Sequence, residues 1–292
     1  MTRRSFRAMG TEIELLVDSE GADAALDTAE AEFHRLEALL SRFRPDSELA
    51  RLNASGSVDA GPDLLRVVEL SLEAHKGSDG RFDPTVHDAV VAAGYDRSFE
   101  LLAADHSDLP ASPPGRPCPR ARLDGGFGVH VTGKRIELDP DVRLDLGGIG
   151  KGYAAESAAA LLATAGACLV NAGGDVATRG GSWPIGVETS GEPLTLELAG
   201  GNALATSGRD RRRWQRDGRE LHHLIDPRTG EPADSDLLRV TVVAYDATAA
   251  EVAAKGLFLL GSIGAVAEAD AAGTPAVLVT RDGRTILAGD LR

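Results

Sequence analysis

Cysteine is scarce in this chain, with two in 292 residues, and two do not make a disulfide framework. Cys118 falls in a proline-rich stretch and Cys168 in an apolar one, so both read as core or neutral residues rather than nucleophiles. Basic residues are also in deficit. Against 45 Asp and Glu stand 31 Lys and Arg, a formal net charge of -14. A general binder of nucleic acid or anionic membrane needs a basic face, which this composition does not supply. The visible basic cluster is RDRRRWQR, residues 209–216. No uninterrupted run of 18 apolar residues occurs, so no membrane-spanning helix is expected. The opening MTRRSFRAMGTEIELLV is basic but has no apolar segment ahead of a small-residue cleavage site. A cytoplasmic protein fits that start, and so does an extracytoplasmic one if the chain is a mature fragment.

What is present is a soluble globular composition, 42% hydrophobic and 26% charged. The most informative stretch is DLGGIGKGYAAE, residues 145–156. An acidic residue opens it, glycines remove the Cβ atoms that would hold a ligand away, and Lys151 sits where a helix should begin. A helix N-terminus has unpaired N–H groups and partial positive charge, so phosphate is its natural guest. Neither GxxxxGK[ST] nor GxGxxG is matched. By itself the stretch is either a phosphate seat or a glycine-rich corner between a strand and a helix.

Elsewhere, residues 5–17 alternate as a strand with Met9-Gly10-Thr11 inside it, and 21–42 carry helical apolar spacing. Helices are expected at 62–76, after Asp83-Pro84, at 151–165 and at 246–260. FGVHV and RIELD around Thr132-Gly133 read as a hairpin, with further strands at 184–189, 194–199, 202–206, 221–225 and 237–245. Residues 104–126 hold five prolines and read as a surface loop or insertion. Strands and helices mix without a regular βαβ repeat. The expected class is α+β, with a mixed or antiparallel sheet core and packed helices.

Five short clusters rich in acidic, glycine and small polar residues fall at strand ends, where ligands usually bind. In order they are FDPTV, DLGGIGKGYAAE, NAGGD, ATSG and HHLIDPRTG. Singly, each is an ordinary turn. Together they resemble the FAD:protein FMN transferase family, often called ApbE. The resemblance extends upstream to MGTEIEL and LSRFRPDSELARLN and downstream to VTVVAYDATAAEVAAKGLFLLG. It covers nearly all of 1–292 as one domain, leaving out the loop at about 104–126.

The resemblance implies an α+β fold and the reaction FAD + protein (Ser/Thr) → protein–FMN + AMP. The partner would be an acceptor flavoprotein subunit or FMN-binding domain carrying the hydroxyl, with no nucleic acid and no membrane span. A pyrophosphate of this kind is normally served by Mg²⁺, with a base near the incoming hydroxyl. By the same resemblance, Met9 and Phe43 line the flavin pocket, and Phe82, Asp83 and Pro84 form a loop touching FAD. Asp145, Lys151 and Ile225 match cofactor contacts, the Gly148 carbonyl a metal ligand, and His223 the histidine important for transfer. His222 reads as a bystander. A non-catalytic FAD carrier and an FAD pyrophosphatase releasing FMN and AMP are the rival readings.

One departure stands out. Where the family usually shows ADALAT, with Asp and Thr as Mg²⁺ ligands, this chain reads AEVAAK, giving Glu251 and Lys255. Positions i and i+4 share a helix face, and a charged lysine has no lone pair for a metal. Three readings follow: Lys255 takes the place of the metal, with Glu251 as its partner; Mg²⁺ persists in a shifted site on Glu251 and main-chain oxygens; or the two are a plain helix-surface ion pair. Glu156 is a milder departure, standing where the family tends to place Asp.

Overall fold

A computed structural model describes residues 1–99, 102, 128–216 and 218–292. The expected loop at 104–126, with Cys118, lies outside the described residues. The chain divides into two compact units, the first formed by 1–37, 149–208 and 235–292, the second by 38–148 and 209–234.

The first unit is built on an eight-stranded sheet. Its strands are β1 (Thr2–Ala8), β2 (Thr11–Val17), β6 (Cys168–Ala172), β7 (Asp175–Arg179), β10 (Ala203–Gly208), β15 (Leu237–Ala244), β16 (Ala276–Thr280) and β17 (Thr285–Ala288). They lie side by side in the order β1-β2-β6-β7-β10-β15-β16-β17. Every neighbouring pair runs antiparallel. The single strand expected over 5–17 is in fact a hairpin. Ala8 pairs with Thr11, and Met9 and Gly10 form its two-residue turn with φ of 53° and 68°. Two positive φ values in succession suit the right-handed twist of the flanking strands, which alternation along the sequence does not reveal.

Successive side chains of these strands point to opposite faces, and each face has its cover. Leu169, Val176, Leu204 and Val277 pack with Trp183, Val187 and Leu198. The last three lie on the hairpin of β8 (Ser182–Val187) and β9 (Leu194–Ala199). Cys168, one residue from Leu169, faces the other way and places its Sγ 3.4 Å from the Ala159 carbonyl. Ala159 belongs to α5 (Gly150–Leu162), which packs against α6 (Ala247–Ala272). Burial pushes the Cys168 thiol up to about 11, so it stays a thiol, as a core residue should.

Alanine dominates the buried faces of α5 and α6, and small residues let the two backbones approach closely. At Gly152 an added Cβ would lie 2.7 Å from the Ala247 carbonyl oxygen. Helix α6 is broken at Gly261, where φ 67° and ψ 173° are non-helical. The expected end at residue 260 is thus a real break, followed by a second helical segment. The Asp236 carboxylate accepts from the Ser262 N–H at 2.7 Å and from its hydroxyl at 2.5 Å, capping that segment. By length and composition α6 could cross a membrane, even though no uninterrupted apolar run marks it in the sequence. It is instead interrupted by the Gly261 break, carries the buried Glu251, and packs on β10 and β15.

The first unit also takes most of α1 (Asp23–Leu40), whose Phe33 meets Phe6 of β1 edge-on at 5.7 Å. The second unit contains α2 (Glu48–Ser55), α3 (Pro62–Gly77), α4 (His87–Ala92) and a three-stranded sheet. That sheet is formed by β3 (Ser57–Asp59), β4 (Val129–Thr132) and β5 (Arg135–Leu138), in the order β3-β5-β4, with β4 and β5 as the expected hairpin. Helix α2, which periodicity did not reveal in so short a segment, starts at an N-cap Ser47 that accepts from the Ala50 N–H at 2.9 Å. Two further ribbons, β11 (Arg213–Arg216) with β12 (Arg219–His222) and β13 (Ile225–Asp226) with β14 (Glu231–Pro232), complete it. Trp214, Tyr95, Val90 and Ile225 form one aromatic and aliphatic cluster within it.

Candidate functional site

In the first unit, four charged side chains from three elements converge. Lys151 stands in the first turn of α5, Asp175 opens β7, and Glu251 and Lys255 lie one turn apart on α6. The Lys151 ammonium donates to Glu251 Oε1 at 2.8 Å and also to Asp175. Lys255 donates to the same Glu251 Oε1 at 3.1 Å. Glu251 Oε2 accepts from the Gly152 N–H at 3.0 Å, one of the unpaired donors at the start of α5.

Local sequence explains how each member is held. The Asp175 position follows a tight turn in which Asn171 Oδ1 accepts from the Gly174 N–H at 2.9 Å. The start of α6 is capped twice. Asp246 accepts from the Ala249 N–H at 2.7 Å, and Glu156 accepts from the Ala247 N–H at 2.7 Å while pairing with Arg179. Glutamate at 156 therefore ties α5 to the N-terminus of α6 and so sets the height of Glu251.

The carboxylates lie inside and the ammoniums nearer to solvent. Glu251 and Asp175 side chains are 1% and 3% exposed, those of Lys151 and Lys255 16% and 17%. Burial opposes ionisation of Glu251, but Lys151, Lys255 and the Gly152 N–H overcome it and pull the carboxyl down to about 2. Burial and the neighbouring Glu251 charge push Asp175 the other way, with Lys151 resisting. Burial also lowers the Lys255 ammonium, opposed by Glu251.

In the second unit, Asp145 is fully engaged. Its Oδ2 meets Arg42 Nε at 2.9 Å, its Oδ1 accepts from the Gly147 N–H at 2.7 Å, and its own N–H donates to the Pro84 carbonyl at 2.8 Å. Arg42 lies over the Phe43 ring at 4.1 Å and the Tyr95 ring at 4.8 Å, a cation–π stack. It also donates to the Tyr95 carbonyl at 2.7 Å. The amide of Asn53 bonds both ways with the backbone of Leu144, at 2.8 and 2.9 Å, fixing the approach to Asp145. Asp83 Oδ1 accepts from the Thr85 N–H and hydroxyl at 2.8 and 2.7 Å, and Phe82 is buried. Arg42 and Asn53 were not singled out from sequence, although both lie inside the LSRFRPDSELARLN segment.

The remaining expected residues fall as follows. Phe43 is 38% exposed. Met9 is half-buried in the first unit's β1–β2 turn, with its N–H on Glu37 Oε1 at 2.8 Å. Gly148 lies in the turn leading to α5. His223 is half-buried beyond β12, its Nδ1 3.4 Å from the Arg212 carbonyl. Ile225 is buried in the Trp214 cluster. His222 serves a structural role, since its Nδ1 accepts from the Leu224 N–H at 3.3 Å, leaving Nε2 to donate to the Ala233 carbonyl at 3.1 Å.

An antiparallel sheet backed by two alanine-rich helices, with a charged cluster at the first turn of α5, defines an α+β protein. The chain belongs to the ApbE family, whose model matches residues 9–278. It is 29% identical over 265 residues to the FAD:protein FMN transferase of Escherichia coli K12, covering 84% of this chain and 73% of the relative. It is 30% identical to the enzyme of that name from Treponema pallidum, covering 82% and 72%. In structure it is similar to the ApbE protein of Thermotoga maritima, with TM-score 0.84, 25% identity and coverage of 99% and 97%. The flavinyl transferase ApbE of Pseudomonas stutzeri shares the fold, with TM-score 0.81, 24% identity and coverage of 99% and 95%.

The donor set on α6 does not suit Mg²⁺. That ion requires near-octahedral oxygen ligands, whereas Glu251 Oε1 already accepts from two ammoniums and Oε2 from a backbone N–H. Among the described residues no group of three or more His, Cys, Asp or Glu gathers as a metal site.

Proposed function

We infer that this chain is an FAD:protein FMN transferase, moving the FMN half of FAD to a Ser or Thr hydroxyl of an acceptor protein and releasing AMP. The observation that carries this reading is the family match over 9–278, which runs through both units and supports treating 1–292 as one functional domain. Relatives bearing that name, aligned over more than four-fifths of the chain, supply the activity.

The hydroxyl oxygen forms a bond to the FMN-side phosphorus, and the bond from that phosphorus to the bridging oxygen breaks. The electron pair leaves with AMP, and the hydroxyl proton passes to a base, the role assigned to His223. Lys151 and Lys255 offer positive charge to the diphosphate, and Glu251 and Asp175 hold those ammoniums in place. Arg42 fixes Asp145 and, with it, the turn of Gly147 and the loop of Phe82, Asp83 and Pro84, which we assign to FAD contact with Met9, Phe43 and Ile225.

The test is mass spectrometry of a candidate flavoprotein acceptor after incubation with FAD and this protein. A gain of one FMN, with AMP released and both lost in His223→Ala, supports transfer. AMP release without any acceptor identifies a pyrophosphatase, and FAD that is bound but never cleaved identifies a carrier.

A further inference from the structure

The buried cluster of the first unit disagrees with the metal chemistry expected of the family, and the disagreement has a chemical content. Two ammoniums within about 3 Å of one carboxylate oxygen occupy the positions from which a divalent ion would reach it. Their charge repels such an ion, and the more exposed members of the cluster are the lysines. A cation approaching the cluster from solvent meets its ammoniums before its carboxylates. An anion meets the opposite situation. Among the described residues Lys255 has one hydrogen-bond partner, Glu251, and an ammonium has three N–H donors. Two are left for ligand oxygens. The side chain is also held in place, because Glu251 is itself fixed by Lys151 and the Gly152 N–H.

We propose that Lys255 is the cation this protein brings to the diphosphate of FAD, in a site that takes no divalent metal. The inference rests on the transferase reading for the identity of the ligand, but not for the exclusion of metal. An ammonium built into the helix offers a fixed point charge and hydrogen bonds to phosphate oxygens, and its presence does not depend on the metal concentration.

Three measurements on the purified full chain test this. Electron paramagnetic resonance of Mn²⁺ is expected to show the free-ion signal undiminished by equimolar protein, with or without FAD; stoichiometric Mn²⁺ binding overturns the proposal. Flavin fluorescence is expected to show Lys255→Met binding FAD at least tenfold more weakly than the unchanged protein. Riboflavin, which lacks the diphosphate, should be held equally by both, and Lys255→Arg, which keeps the charge, should retain most of the FAD affinity. Equal FAD affinity in Lys255→Met, or an equal loss for riboflavin, overturns the role of Lys255. Finally, AMP release with an acceptor should proceed at rates within about twofold in EDTA and in Mg²⁺, and strict Mg²⁺ dependence overturns the proposal. Absence of AMP release in both buffers defeats the transferase reading instead, while the Mn²⁺ and flavin titrations still decide the cation.

Discussion

Glu251 shows how a single side chain can be stable only in company. Alone and buried, a carboxylate loses its hydration and protonates; here two ammoniums and a backbone N–H hold it ionised, at about 2. Its folded value lies below the ordinary 4.5. The stability it contributes is therefore present above about pH 4.5 and is lost as pH falls toward 2. Asp175 has the opposite sign. Its raised value means that its ionisation costs stability as pH rises beyond the ordinary carboxylate range. Thermal melts of the unchanged protein and Glu251→Gln across that range provide the check. The Tm gap between them is expected to narrow steadily between pH 4.5 and 2. At neutral pH, Glu251→Gln removes the buried negative charge that two half-buried ammoniums share, a loss of about 3–5 kcal/mol by urea titration. The i, i+4 spacing of Glu251 and Lys255 was readable as a one-face pair. Asp175 was not assigned to it, because the contact with Lys151 spans 24 residues and depends on how α5 lies over β7.

At the scale of elements, the crossing of α5 and α6 sets the site, and the crossing depends on a missing side chain. An alanine at Gly152 would press its Cβ to 2.7 Å from the Ala247 carbonyl and drive the helices apart. Gly152→Ala is expected to cost about 1–3 kcal/mol through overpacking and to weaken FAD binding, read by thermal melting and flavin fluorescence. The break in α6 gives a second test. Burial raises the proton affinity of Asp236, but the Ser262 hydrogen bonds outweigh it and its pKa falls below the ordinary carboxylate value. Asp236→Ala should lower stability by about 0.5–2 kcal/mol, the usual cost of a lost N-cap. Gly261→Ala should cost about 1–3 kcal/mol, because its backbone conformation is essentially glycine's alone. Periodicity located α1, while Pro62, the alanine-rich run from 151 and the Asp246 start located α3, α5 and the first part of α6. It missed α2, which is eight residues long and marked mainly by its Ser47 cap, and it read the β1–β2 hairpin as one strand.

For the molecule as a whole, a ligand bound only by the folded state stabilises it by mass action. FAD at about 100 times its dissociation constant should add about 2.7 kcal/mol of stability. The rise in Tm should be the same in EDTA and in Mg²⁺, measured by differential scanning calorimetry. The fold class and the family were legible in the chain, because ordered motifs and hydrophobic periods are local properties that survive as text. So was the oddity of Lys255, a residue type with no lone pair where a ligand was due. Its partners were not legible. That Lys255 shares one oxygen with Lys151, that Gly152 secures the other, and that Glu156 caps the helix carrying them all depend on contacts between residues 91 to 100 positions apart. Such contacts form when two alanine-rich helices close on one another over a sheet, and only the tertiary structure decides which charges then meet.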